Sequence, residues 1–339
     1  MSVFDDKHFN GEVFGKYLEG VPRIKQNAFL KAGIFRDRPE LKTMLAENTG
    51  GNYVSIPMVG LIGGDSQNYD GNTTITTTGI DTYLQGMIAY GRAKAWKEKD
   101  FTHDITGHDF MAEIAKQVGG YWDDDQQINI LAILEGIFSM TATNDKKFVD
   151  AHTLDITEET EKTVNATTLN SAIQKAAGAN KNIFSLVIMH SQVSTNLENM
   201  QLLQYGKGVD ANGVEKELAL ATWNGRTVLI DDDVPFDEDT GAYTSYILGR
   251  GSMDYCDIGA TVPNETTRDP LTNGGEDILV TRQRKVIAPR GITFKKPTSI
   301  TSPMPSDFKT ATNWTLVENN KGAKINHKAI PIARIKSLG

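Results

Sequence analysis

Two β-rich runs, "GGNYVSIPMVGLIGG" (50–64) and "NTTITTTGIDTYLQGMIAYGRAKAW" (72–96), flank the turn-forming "GGDSQNYDGN" (63–72), and this arrangement constrains the fold more than any other stretch. Threonine, isoleucine, tyrosine and valine suit a pleated backbone, whereas clustered Gly, Asn and Asp suit a turn. The pattern predicts a long projecting hairpin rather than a pair of core strands, with its Gly-, Asn- and Asp-rich tip exposed.

A different period follows. In "TGHDFMAEIAKQVGGYWDDDQQINILAILEGIFSM" (106–140), Phe110, Ile114 and Val118, then Ile130, Leu131, Leu134 and Phe138, recur at three- and four-residue spacings. Thr106 with Asp109 makes a weak capping box at the start. An unbroken helix to Met140 would be roughly 50 Å long at about 1.5 Å per residue. Gly119 and Gly120 each cost about 1 kcal/mol against alanine, so a kink or a close packing partner is expected there.

Beyond residue 165 the elements are short and alternate. A helix is predicted from about Thr167 to Ala177 with Gly178 as its stop, then a buried strand "NIFSLVIMH" and a helix starting at Ser191. The strands "RTVLID", after the turn Asn224-Gly225, and "YTSYILG" follow, and "DILVTRQRKVIA", "GITFK", "WTLVE" and "KAIPIARIKSL" close the chain. Pro331 suggests an edge position for the last of them. The fold class is α+β with a mixed or antiparallel sheet. Residues 1–50 lack one sustained period and read as an extended arm with short helical pieces.

At 339 residues the chain buries a large core without needing disulfides or a metal. Cys256 is the only cysteine, so neither an internal disulfide nor a Cys-based zinc site can form, and folding in a reducing cytoplasm fits best. No signal-like or membrane-spanning apolar run occurs. The formal charge is -8 and neither tail is polybasic, which disfavours direct nucleic-acid binding.

Candidate chemistry is sparse. Asp231, Asp232 and Asp233 with Asp237, Glu238 and Asp239 present oxygen ligands of the kind that suit Ca²⁺ or Mg²⁺, yet the spacing is not that of an EF-hand and a solvated inter-strand loop is the simpler reading. His103 and His108, five apart, would point about 140° away from each other on a helix and read as helix-entry residues. His190 beside Ser191 lacks a G-x-S-x-G elbow, and helix capping by Ser191 is the stronger explanation. The glycine stretches "GKG", "LGRGS" and "NGG" match neither phosphate-cradling nor dinucleotide-binding patterns. No catalytic residue and no cofactor is expected.

The order of elements, with "SLVIMHSQVSTNLENMQLLQY", "WNGRTVLIDDDVP", "YTSYILGRGSMDY", "ETTRDP" and "RQRKVIAPRGITF", resembles the tailed-bacteriophage major capsid protein family, whose capsid fold is shared with encapsulins. The resemblance covers most of the chain. It implies an N-terminal arm (1–50), an extended β-hairpin loop lying over a neighbouring subunit (51–95), and a peripheral domain with a long spine helix (96–164). An axial domain (165–260) and a C-terminal return into the peripheral domain (261–339) would complete it. Asp65, Tyr69, Asp70 and Thr76 in the extended loop, and Asp237, Glu238 and Asp239 in the axial loop, become candidate inter-subunit contacts. On this reading "RTVLID" and "YTSYILG" are a strand pair and the acids between them its connecting loop near the capsomer centre.

The same resemblance implies many copies of the chain, in hexamers and pentamers, forming an icosahedral virion shell around double-stranded DNA, without sequence-specific binding and without a membrane. Assembly would take place in the host bacterial cytoplasm. A portal and, because Met1 stands shortly before the arm, a separate scaffolding protein are expected partners. The extended loop contains no lysine, so a noncovalent shell is expected. Two alternatives remain open: an encapsulin-like nanocompartment shell, and a metal-dependent hydrolase using Asp231 to Asp233.

Overall fold

Residues 82–99 form the strand on which the fold is built. The computed structural model describes residues 33–46, 51–107, 109–209, 215–296 and 298–339. In chain order the first strands are β1 (Phe35–Asp37), β2 (Tyr53–Val59), β3 (Thr82–Lys99), β4 (Thr153–Asp155), β5 (Phe184–Met189), β6 (Leu203–Val209), β7 (Glu215–Trp223) and β8 (Arg226–Ile230). Then come β9 (Phe236–Asp237), β10 (Ala242–Gly249), β11 (Met253–Asp257), β12 (Asn264–Asp269), β13 (Glu276–Pro289), β14 (Ile292–Phe294), β15 (Trp314–Leu316), β16 (Glu318–Asn319) and β17 (Ile332–Ser337). The helices are α1 (Glu40–Ala46), α2 (Asp100–Thr106), α3 (Phe110–Phe138), α4 (Thr143–His152), α5 (Thr168–Ala177), α6 (Ser191–Asn199) and α7 (Pro305–Lys309).

The expected hairpin is present, but its second limb is a core strand. β3 pairs antiparallel with β2 from Ile88↔Tyr53 to Thr82↔Val59, and with β13 from Ala89↔Val286 to Lys99↔Glu276. Its segment Gln85–Tyr90 is buried on both faces, as the run "LQGMIAY" allows. The seven-stranded sheet runs β1-β11-β13-β3-β16, with β2 on β3 and β12 on β13. Of the expected arm, residues 1–32 and 47–50 lie outside the described residues, and residues 33–46 are not an arm. Ile34, Leu41 and Leu45 are buried, β1 pairs parallel with β11, and Arg36 makes a bidentate ion pair with the buried Asp254 at 2.7 and 2.9 Å.

The second sheet has eight strands, ordered β4-β17-β10-β5-β8-β7-β6 with β9 on β10, and it is mixed. β5 runs parallel to β8 and antiparallel to β10. "RTVLID" and "YTSYILG" are therefore not paired with each other: the largely apolar "FSLVIM" of β5 sits between them. β17 lies between β4 and β10 and begins after Pro331, so the proline terminates the approach to an interior strand and marks no edge. This last strand joins the sheet built from residues 184–249 rather than the sheet that contains β13.

Three apolar clusters sit on the sheet faces. One face of the eight-stranded sheet (Leu186, Ile188, Leu229, Leu248, Ile332) meets the second half of α3 (Ile130, Ile133, Leu134, Ile137), and Ile88 and Ile287 of the other sheet close the same core. α5 and α6 cover the opposite face through Leu169, Ile173, Val193 and Leu197. α1 covers the outer face of the seven-stranded sheet through Leu41 and Leu45. Each fully buried Leu or Ile contributes roughly 2 kcal/mol of transfer free energy, so the α3 quartet is worth on the order of 8 kcal/mol before entropy.

α3 runs 29 residues without interruption through Gly119 and Gly120. A Cβ on Gly119 would meet nothing within 4 Å, so Gly119 has no close packing partner. A close approach does occur at Gly136, where a Cβ would fall 1.9 Å from the Phe308 carbonyl oxygen of α7. The weak capping box is also corrected. Thr106 ends α2 and its hydroxyl donates to the Thr102 carbonyl, while α3 starts at Phe110 with Asp109 as N-cap.

Candidate assembly surfaces

Residues 61–80 carry no strand and every one of them is exposed, including Leu61, Ile62, Tyr69, Ile75 and Ile80. The root of this segment is a single backbone bond from the Gly60 N–H to the Asp81 carbonyl at 2.8 Å. At the tip the Asp70 carboxylate accepts from the N–H groups of Asn72 (2.9 Å) and Thr73 (2.7 Å) and from the Thr73 hydroxyl (2.8 Å). Those bonds hold its pKa down to about 2. Thr76 donates its N–H to the Gln67 side chain at 2.8 Å and accepts from the same amide. Of the loop candidates, Asp65, Tyr69, Asp70 and Thr76 all stand on this exposed segment; Asp70 and Thr76 shape its turn. The segment is thus an exposed run with a defined turn, held by bonds within the loop.

The acidic loop is built as a set of caps. Asp231 is 6% exposed; its carboxylate accepts from the Gln127 side-chain amide of α3 and from the Asp233 N–H at 3.0 Å. Asp232 accepts from the Ser191 N–H at 3.0 Å, and its hydrogen bonds from Ser191 hold its carboxyl below the usual range. Asp237 accepts from the N–H groups of Asp239 (3.1 Å) and Thr240 (3.4 Å), and hydrogen bonds from the Thr240 side chain and backbone hold its carboxyl below the usual range. Glu238 and Asp239 point to solvent. Among the described residues no three His, Cys, Asp or Glu side chains gather as a ligand group. The acids are held apart by separate turn functions.

His190, not Ser191, is the N-cap of α6: its Nδ1 accepts from the Gln192 N–H at 3.1 Å. Its Nε2 faces Asp232 at 3.6 Å, and its ring lies 4.8 Å from Tyr243. The N–H groups of Ser191 and Gln192 thus have acceptors in Asp232 and His190, and with its Nδ1 engaged in the cap His190 is a helix-start residue. His103 sits in α2, which ends at Thr106, and His108 lies outside the described residues.

Three features escaped the sequence. The carboxylate of Glu98, at the end of β3, accepts from the N–H groups of Phe110 (3.1 Å) and Met111 (2.7 Å), and Asp109 accepts from Ala112 (2.9 Å). Two carboxylates therefore satisfy the positive end of α3 and tie it to the long strand. Gly136 admits α7, where the Trp314 indole N–H donates to the Phe308 carbonyl at 2.7 Å. His152 is buried; its Nδ1 donates to the Ile332 carbonyl at 2.6 Å and its Nε2 stands 3.1 Å from Nδ1 of His327. The capping signal at Glu98 was visible only as an acid twelve residues before the helix, and the histidine pair had no local signal.

No model of a protein family matches the chain. The chain is 26% identical over 318 residues to the major capsid protein of Bacillus phage SPP1, covering 93% of this chain and 94% of that protein. The resemblance to tailed-phage major capsid proteins read from the sequence is thus supported along nearly the whole chain. Solved structures share the fold. The cyanophage Pam1 capsid superposes with a TM-score of 0.58 at 11% identity, covering 99% of both chains, and the Ralstonia phage GP4 capsid with 0.55 at 12% identity, covering 99% of this chain and 97% of that one. The chain is a shell-forming structural protein of the virion and not an enzyme.

Proposed function

We propose that this capsid protein encloses the double-stranded DNA genome of a tailed bacteriophage in an icosahedral head of hexamers and pentamers. The reading is supported above all by the near end-to-end match to a phage major capsid protein. The exposed segment 61–80 agrees with it. Residues 51–95 act as the extended loop over a neighbouring subunit, 96–164 contain the spine helix of the peripheral domain, and 165–260 form the axial domain. The strand 332–337 is assigned to the axial sheet in which it pairs.

A separate scaffolding protein and a portal are the expected assembly partners, in the host bacterial cytoplasm. Residues 57–86 contain no lysine, so this loop makes no lysine cross-link and the shell is noncovalent. A net charge of -8 suits a wall that confines DNA without holding it, because phosphate binding is driven by cationic side chains. Asp237, Glu238 and Asp239 line the approach to the capsomer centre, where solvent and cations screen them. The test is negative-stain microscopy of the purified protein with and without co-expressed scaffold. Shells, tubes or capsomers are expected; a homogeneous monomer at every concentration overturns the proposal, and shells that enclose protein cargo instead of DNA give the nanocompartment reading.

A further inference from the structure

The longest β-prone run in the exposed loop, "TTITTT" (73–78), has no strand partner in its own chain. Thr76 turns its N–H inward to Gln67, and the Thr78 hydroxyl donates to the Gly63 carbonyl at 3.4 Å. In an extended segment the alternate residues, Ile75 and Thr77, then present their backbone groups outward, and no hydrogen bond to those groups is present among the described residues.

A second unpaired edge lies elsewhere. β12, "NETTRD", is bonded on one side only, to β13, from Asn264↔Thr281 to Asp269↔Glu276. Arg282 donates its N–H to the Pro263 carbonyl at 2.7 Å, which fixes the phase of the ladder. Residues 265, 267 and 269 spend their backbone groups on β13, and Asn264, Thr266 and Arg268 aim theirs outward. Five of the six residues are exposed, and the strand itself has no proline, lysine or bulge of the sort that protects an edge.

The two edges cannot meet within one molecule. β12 sits beside the part of β13 that pairs with Lys94–Lys99, at least twelve residues along β3 from Thr82, or ~40 Å at about 3.3 Å per residue. Thr77 is five residues from Thr82 and reaches at most ~18 Å from it. A donor segment at one end of β3 and an acceptor edge at the other end make a head-to-tail pair of surfaces, the geometry that closes into rings when repeated.

We propose that residues 73–78 of one copy add as an antiparallel strand to the free edge of β12 in the next copy, with Thr77 opposite Thr266 and Ile75 opposite Arg268. In this register Thr76 faces Thr267 and Thr78 faces Glu265, so two of the four pairs are threonine pairs and no like charges meet. The uncharged donor, between Asp70 and Asp81, meets the only positive residue of the acceptor through an aliphatic stem. The inference rests on the shell reading, and it names the edge that receives the loop.

Proline distinguishes the two directions of the β12 ladder. Thr266→Pro removes only an outward N–H, so the subunit keeps its fold and melting temperature while the protein concentration needed for assembly rises roughly tenfold or more. Thr77→Pro on the donor side has the same effect. As a second measurement, the T77C/T266C double variant, mixed as assembled shells and oxidised, gives a ladder of cross-linked multimers that neither single variant gives; this holds even if T266P misfolds. Wild-type shells together with unimpaired assembly of both proline variants, or with no cross-link, overturn the strand addition and leave the shell reading intact. A wild-type protein that never assembles overturns both.

Discussion

Gly136→Ala is expected to destabilise the protein although alanine is the better helix former. An added Cβ falls 1.9 Å from the Phe308 carbonyl oxygen and 2.7 Å from the Trp314 indole nitrogen. Ordinary contact begins near 3.4 Å, so α7 must retreat by about 1.5 Å. That movement breaks the 2.7 Å bond from Trp314 to Phe308 and parts the rings of Phe294, Phe308 and Trp314, all buried. Overpacking costs roughly 1–3 kcal/mol and an orphaned buried indole N–H about 1–3 kcal/mol, against a propensity gain of about 1 kcal/mol. The net loss is ~1–5 kcal/mol, or a melting temperature lower by roughly 1–7 °C for a chain of this length. Gly119→Ala is the matched control, since its Cβ would meet nothing within 4 Å, and it should gain up to about 1 kcal/mol. Urea denaturation followed by tryptophan fluorescence measures both. If the two variants shift stability in the same direction, the close-approach argument fails.

Acid should weaken the junction of α4 with β17. Burial is the main cause that depresses the His152 pKa from 6.5 to about 4, so the unfolded chain binds the proton more readily than the folded one. This stability is fully present above pH 6.5 and is lost as the pH falls toward 4, a difference of ~3 kcal/mol. H152N should flatten the stability profile over that window, and an unchanged slope counts against the assignment. Glu98→Gln should cost ~1–2 kcal/mol by weakening the cap on α3, whereas Lys94→Gln, in the same strand but with no cap to lose, should change stability by less than about 0.5 kcal/mol; thermal melts of the two compare them. Millimolar Ca²⁺ or EDTA should leave shell melting unchanged because Asp231, Asp232 and Asp237 are already engaged with Gln127, Ser191 and Thr240; a calcium-dependent rise of several degrees would revive the shared-ion reading.

What the sequence determined by itself is local. Apolar spacing announced α3 and α5, the run "FSLVIM" announced a buried strand, Asn224-Gly225 announced the turn before β8, and "GGDSQNYDGN" announced an exposed tip. Periodicity and turn chemistry report interactions between residues a few positions apart, and there the chain's own bonds dominate. Tertiary structure alone decided that β5 separates β8 from β10, that β17 is interior, and that β3 is a core strand. It also decided that Glu98 caps a helix beginning at Phe110, that His152 meets His327, and that the glycine that matters in α3 is Gly136. Each of these depends on which distant segment fills the space beside a residue. That choice is made by packing the whole core at once, and no window of the sequence contains it.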